Sequence, residues 1–429
     1  MRVLMFGWEF PPHIAGGLGT ACYGMTKGLM KHGVEVIFVV PKAYGDEDQR
    51  AVRLVNASDV TIRIEDREFI QHARELTYLE VGSNLVPYLD PEDFEHTVTE
   101  TLVQSRLARK SVFAQRYEFS GKYGADLMEE VARYALVAGE VASRSDFDVI
   151  HAHDWLTYYA GIAARKASGK PLVVHIHATE YDRSGENVNP LVFEIEKKGL
   201  EEADRVIAVS NLTRRIVIER YGINPAKVYT VHNAIEPVSK PELLDSKKTV
   251  KEKIVTFLGR ITYQKGPEYF IEAAYQVLQR DGNVRFVMAG SGDLLNPMIR
   301  RVAQLRMASK FHFAGFLRGD DVDRMFAMSD VFVMPSVSEP FGLVPLEAIR
   351  SNVPVIVSRQ SGVSEVLRYA LKVDFWDIDG MADSIYGILH YPAIYKFFMK
   401  HGKPEVDDLK WEDAAVRIVD VYRDVTGCH

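Results

Sequence analysis

The sequence predicts an α/β protein made of two doubly wound, Rossmann-like domains in tandem. Three observations carry this. The 429 residues exceed what one hydrophobic core usually sustains. Short apolar, β-branched runs alternate with helical patterns along most of the chain. The alternation breaks at residues 237–250, PVSKPELLDSKKTV, a polar stretch with two prolines and a lysine pair that reads as a linker.

The first series opens with RVLMFGW (2–8), an apolar run of strand length. A loop with Gly16, Gly17 and Gly19 follows, then a helical pattern from Thr20 to Gly33, then the strand VEVIFVVP (34–41). This is the grammar of a parallel sheet covered by helices. Residues 56–145 are harder. Their end, GADLMEEVARYALVAGEVAS, is an amphipathic helix, whereas the part before it mixes strand and helix signals and receives no element. Strands resume at FDVIHAHD (147–154), PLVVHIHA (171–178), DRVIAVS (204–210) and KVYTVHN (227–233). A second series runs through KIVTFLGRI (253–261), VRFVMAGSG (284–292), KFHFAGFL (310–317), VFVMPSVSE (331–339), VPVIVSR (353–359) and KVDFWD (372–377). Residues 409–425 form a last amphipathic helix. The expected domains are therefore 1–236 and 251–400, with chemistry just after strand ends, where ligands bind in open α/β sheets.

A net charge of −7 and a pI near 6.0 argue against a general nucleic-acid binder. Two cysteines, Cys22 and Cys428, supply neither a disulfide framework nor a Cys-rich zinc site, as expected of a cytoplasmic protein. The first apolar run is interrupted by Glu9 and stopped by Pro11-Pro12, so it is neither signal peptide nor membrane span, and no later run is long enough to span.

Several motifs sit at predicted strand ends. GRITYQKG (259–266) places Arg260 and Lys265 before a helix that Pro267 would start. Two cations at a helix N-terminus suit a phosphate, although an isolated pair is more often only solvated. Gly290-Ser291-Gly292-Asp293 is a turn whose N–H groups could approach a nucleotide, and such turns also arise from packing alone. Gly16-Gly17-Leu18-Gly19 invites a dinucleotide reading, but Cys22 stands where the third glycine belongs and the next strand ends in Val40-Pro41-Lys42, without a ribose-binding acid. His151, His153, Asp154, His175 and His177 could ligate a metal. Asp154 comes one residue early for the hydrolase pattern His-x-His-x-Asp-His, so packed strand-end histidines are preferred and no metal site is assigned. The triplets Asp146-Phe147-Asp148 and Asp377-Ile378-Asp379 read as structural.

Together these segments resemble the retaining glycosyltransferases of the GT-B architecture, in particular the glycogen and starch synthase group. The resemblance covers almost the whole chain. It rests first on Glu339-x7-Glu347 in EPFGLVPLE, then on GRITYQKG, HAHDW (151–155), the strand ending in His177, HNAIE (232–236) and the Gly16-Gly17 loop, all in family order. It implies two Rossmann-like domains facing across a cleft, with a C-terminal helix, about 405–429, crossing back to complete the first. It implies transfer of a hexose, glucose above all, from a nucleoside-diphosphate sugar, ADP- or UDP-glucose, to an α-glucan without metal or other cofactor. Glu339 would accept hydrogen bonds from the donor sugar. Phe341, Gly342 and Leu343 would open a helix toward sugar and diphosphate, with Glu347 two turns along it on the ribose hydroxyls. Arg260 and Lys265 would stabilise the leaving diphosphate. His177 would bond the sugar, Asp154 would orient the acceptor or the cleft, and Gly16, Gly17 and Ser291 would line the substrates.

Bacterial glycogen synthases usually carry a lysine two residues before the glycine pair. Here Ile14 stands there, and His13 is the candidate replacement, which weakens the case for ADP-glucose. The alternatives are a transferase using a small sugar, sugar-phosphate or lipid-linked acceptor, a nucleotide-sugar epimerase, a metal-dependent hydrolase, and a nucleotide-sugar-binding regulator without catalysis.

Overall fold

A computed structural model describes residues 1–13, 16–62, 116–124, 126–236 and 250–427. Most of the linker, Ile14, and 63–115 of the unplaced segment thus lie outside the described residues. The contacts divide the chain into two compact units. One comprises Met1–Tyr181, Glu186–Asn233 and Trp411–His429, the other Asp182–Gly185 and Ala234–Lys410.

The first unit is built on a parallel sheet of β1 (Arg2–Phe6), β2 (Glu35–Val40), β3 (Arg53–Asn56), β4 (Val149–His153), β5 (Leu172–Ile176), β6 (Arg205–Ala208) and β7 (Val228–Thr230). Their spatial order is 3-2-1-4-5-6-7. Strands of such a sheet are buried on both faces, which is why they read as continuous apolar runs. Val3, Leu4, Met5 and Phe6 of β1 are all fully buried.

The second unit holds β8 (Lys253–Leu258), β9 (Val284–Ala289), β10 (Phe311–Gly315), β11 (Val331–Met334), β12 (Val355–Ser358) and β13 (Leu371–Val373) in the order 10-9-8-11-12-13, again parallel. Each sheet reverses direction once, between β1 and β4 or between β8 and β11. At such a reversal the flanking loops diverge and leave a crevice beyond the strand ends. The loops after β8 and β11 therefore form the natural ligand site of the second unit.

The final helix, Trp411–Thr426, belongs to the first unit and packs along the helix Gly17–Lys31. A Cβ at Gly24 would lie 2.1 Å from the Trp411 indole nitrogen, and one at Gly28 would lie 2.4 Å from the Trp411 carbonyl oxygen. The two glycines let the helices approach closely, and Trp411 fills the space.

Three differences from the sequence reading bear on the site. The first helix begins at Gly17 rather than Thr20, with Gly16 as its extended N-cap. The run VFVMPSVSE is strand only to Met334, because Pro335 has no N–H for the ladder. The helix after Glu339 starts at Val344. Glu347 thus lies in its first turn, not two turns along, and Phe341 and Gly342 precede it.

Candidate active site

Lys265 and Glu339 are 74 positions apart in sequence, and the structure joins them with Lys265 Nζ 2.6 Å from Glu339 Oε2. Lys265 ends a short 3-10 turn, Tyr263–Lys265, in the loop after β8. Glu339 lies in the loop after β11. Its main chain is clamped, its N–H donating to the Gln360 carbonyl and its own carbonyl accepting from Gly362 N. Its side chain is largely buried and also accepts from Ser336 Oγ at 3.2 Å. The ion pair is thus fixed at the second unit's switch point.

The two loops interlock. Gln264 is buried, its carbonyl accepts from Val337 N, and its side-chain oxygen accepts from Arg260 Nη2 at 3.0 Å. A Cβ at Gly266 would come 2.2 Å from the Pro335 carbonyl oxygen. Arg260 and Lys265 are thereby carried on a braced loop. The turn Gly290–Asp293 is packed on it, the Ser291 carbonyl accepting from Ile261 N at 2.7 Å. The Ser291 main chain thereby helps shape the loop.

Gly342 has φ +98°, a conformation L side chains rarely adopt, and its missing Cβ would lie 3.1 Å from Glu339 Cγ. Phe341 is buried, and its carbonyl accepts from Val363 N. The N–H groups of Gly342 and Leu343 donate to nothing among the described residues. They remain available beside the ion pair. Burial raises the carboxyl pKa of Glu347, Arg350 opposing and Asp323 reinforcing the shift.

In the first unit, His177 follows β5 and Asp154 follows β4. Asp154 Oδ1 accepts from His177 N at 2.6 Å and from Ala178 N at 3.4 Å. Asp154 holds φ 59°, ψ 169°, a combination that costs a non-glycine residue on the order of 1–3 kcal/mol. His151, His153 and His175 lie on one face of β4 and β5, fully buried. Burial pushes His151 and His177 down to about 3 from an ordinary 6.5, and His153 and His175 far down, so all four rings are neutral. Gly16 and Gly17 are exposed at the start of the first helix. His13, the candidate lysine replacement, pairs with Asp46 at 2.7 Å.

Ligand atoms of His151, His153 and His175, of Cys22, His153 and His177, and of His13, Asp46 and Glu47 each fall within 4.8 Å of one another. The His151 and His175 rings stand 3° from parallel with centroids 5.4 Å apart. Lone pairs in such a stack run side by side instead of converging on an ion, so this one pair reads as packing.

Sequence reasoning missed Gln264, Ser336 and the contact from His153 to His177. Gln264 had a signal, since it stands inside GRITYQKG. Ser336 had none beyond its place after a strand.

The family model for glycosyl transferases group 1 matches residues 240–392, and that for glycosyltransferase family 4 matches residues 84–238. An uncharacterized glycosyltransferase of Methanocaldococcus jannaschii is 28% identical over 99% of this chain and 98% of that one. A glycogen synthase of Mycobacterium tuberculosis is 24% identical, covering 98% of this chain and 94% of its own. Among solved structures, a sucrose-phosphate synthase of Thermosynechococcus elongatus aligns with TM-score 0.70 at 18% identity over 100% of both chains. The catalytic domain of starch synthase IV from Arabidopsis thaliana, bound to ADP and acarbose, aligns with TM-score 0.68 at 16% identity over 99% of both.

Proposed function

Because the chain belongs to the glycosyltransferases of the GT-B architecture, in the glycogen and starch synthase-like group, we propose that it moves glucose from a nucleoside-diphosphate sugar to an α-glucan with retention of configuration and without a metal ion. The observation that carries this reading is the Lys265–Glu339 pair at 2.6 Å, braced at the switch point beside the unpartnered N–H groups of Gly342 and Leu343. A sugar diphosphate needs both kinds of group.

In this reading, Glu339 accepts hydrogen bonds from the sugar hydroxyls, and Lys265 and Arg260 take the charge that grows on the departing diphosphate. Fixed cations in a partly buried site stabilise that charge more than water does. The Gly342 and Leu343 N–H groups donate to phosphate or sugar oxygens, and Glu347 takes the ribose hydroxyls. His177 bonds the donor sugar. The carboxylate of Asp154 accepts from the His177 main chain, and in this reading Asp154 orients the acceptor or the cleft. Attack comes from the face the diphosphate leaves, whose oxygen takes the acceptor's proton. No helix among the described residues is long and apolar enough to cross a membrane, and the reading places the enzyme in the cytoplasm.

The test offers ADP-, UDP- and GDP-glucose with glycogen, maltooligosaccharides and small sugar acceptors, with and without chelator. Glucan elongation that survives chelator, with an α-linked product, is the expected result. Transfer to small acceptors alone discards the glucan role. Loss of activity with chelator would reopen metal chemistry, and binding without transfer indicates a regulator.

A further inference from the structure

Two histidines stand next to each other where β4 and β5 end. His153 Nδ1 lies 3.0 Å from His177 Nε2. We propose that His153 is a positioning residue that fixes the tautomer of His177, donating its Nδ1–H to His177 Nε2 so that His177 presents Nδ1–H to the ligand as a hydrogen-bond donor.

The argument is one of proton accounting. A neutral imidazole carries a single N–H and a single acceptor nitrogen. His153 Nε2 is buried and has no partner among the described residues. A proton there would be an unpaired buried donor, which destabilises that tautomer. Placed on Nδ1, the same proton makes a hydrogen bond, and only an acceptor nitrogen is left unfilled. His177 Nε2 must then accept, so the neutral His177 ring carries its own proton on Nδ1. That nitrogen has no partner among the described residues, and it is not among the buried orphan atoms. It is the ring atom left for a ligand.

The surroundings hold this arrangement. Asp154 fixes the His177 main chain from the other side through the 2.6 Å bond to its N–H. His153 faces His175 across the β4–β5 register. Its ring also packs on His151, centroids 4.3 Å apart, and His151 Nδ1 lies 2.5 Å from Tyr422 OH on the final helix. His177 is therefore set by Asp154 in its backbone and by His153 in its ring. The tautomer follows from the ring contacts and the neutrality of both rings, whereas its consequence for turnover rests on the transferase reading above.

The test is two-fold. Protein labelled with ¹⁵N-histidine is examined by long-range ¹H–¹⁵N correlation, which distinguishes Nδ1–H from Nε2–H rings. The wild type is expected to show His177 as Nδ1–H, His153→Leu to lose that single tautomer, and His153→Asn, whose amide can replace the Nδ1 donor, to restore it. In transfer assays His153→Leu is expected to lower kcat by about tenfold to a hundredfold, the size of effect seen when the partner that orients a metal-ligating histidine is removed. The donor KM should change little, and His153→Asn should recover most of the loss. An Nε2–H ring at His177 in the wild type overturns the inference whatever the activity, and so does an unchanged tautomer in a folded His153→Leu. If that variant does not fold, the wild-type spectrum decides alone. The expected tautomer in a protein that transfers nothing leaves the inference standing and removes the transferase reading.

Discussion

Lys265 Nζ and Glu339 Oε2 meet at 2.6 Å across the β8–β11 switch point, with the two side chains 19% and 10% exposed. A pair this sheltered is costly to break on one side, about 3–5 kcal/mol when the remaining charge stays buried. Glu339→Ala would therefore confuse catalysis with folding. Glu339→Gln keeps the shape and an acceptor for Lys265 while removing the charge. It should lower kcat by about 10²–10³-fold, the cost typical of losing one preorganised electrostatic contact. Its urea midpoint should stay nearer the wild type's than that of Lys265→Ala. Near-normal turnover in a folded Glu339→Gln protein would remove Glu339 from the donor site.

Arg260 separates from Lys265 in this respect. Its guanidinium bonds the neutral side chain of Gln264, so the ion pair survives its loss. Arg260→Ala should reduce kcat by about 10²-fold or more while stability changes by no more than about 1 kcal/mol. Gln264→Ala should produce a smaller drop in kcat and should not deepen the loss caused by Arg260→Ala, because both act through one guanidinium. Parallel kinetics and thermal melts check this, and additive losses in the double variant would count against the coupling.

The doubly wound class was legible because buried parallel strands are continuous apolar runs, and RVLMF, VVHI and VFVM announce themselves. Arg53–Asn56 did not, being short, at a sheet edge and only partly buried. The site was legible wherever a motif follows a strand, as with Arg260, Lys265 and Glu339. It was not legible where a tertiary contact sets the role. Nothing in EPFGLVPLE says that its helix waits until Val344, since a +98° φ at Gly342 leaves no local trace beyond glycine itself. Nothing in HAHDW says that the Asp154 carboxylate is spent on the His177 amide 23 positions away.

The close packing of Gly24 on Trp411 pits two magnitudes against each other. Alanine favours a helix interior over glycine by about 0.8–1.0 kcal/mol. Its Cβ would sit 2.1 Å from the Trp411 indole nitrogen, and Trp411 is buried. Overpacking of this kind costs about 1–3 kcal/mol, so Gly24→Ala should be net destabilising and should loosen the final helix. Urea unfolding and hydrogen exchange across Trp411–Thr426 measure both effects. A stabilised Gly24→Ala protein would show that propensity wins and that the helix contact yields easily.

The buried histidines predict an acid-labile fold. His151 and His177 titrate near 3, and His153 and His175 are pushed far down, against 6.5 for an unfolded chain. The groups that share their pocket do not compensate. Cys22 is kept protonated by burial and Tyr422 remains a phenol. Between about pH 3 and 6.5 the unfolded chain binds more protons at these sites, so stability rises with pH there. It is complete above the unfolded pKa and is lost as pH falls. A ring that stays neutral in the fold contributes about 1 kcal/mol between pH 6.5 and 5.5, and the fully buried His151, His153 and His175 act in the same direction. Urea midpoints in chelator-containing buffer should therefore fall steeply below pH 6.5, and His175→Asn should make the fall shallower by one proton's worth. A flat profile from pH 7.5 to 5.5 would mean that these rings find acid partners or water when protonated, and that the cluster is less dry than its burial implies.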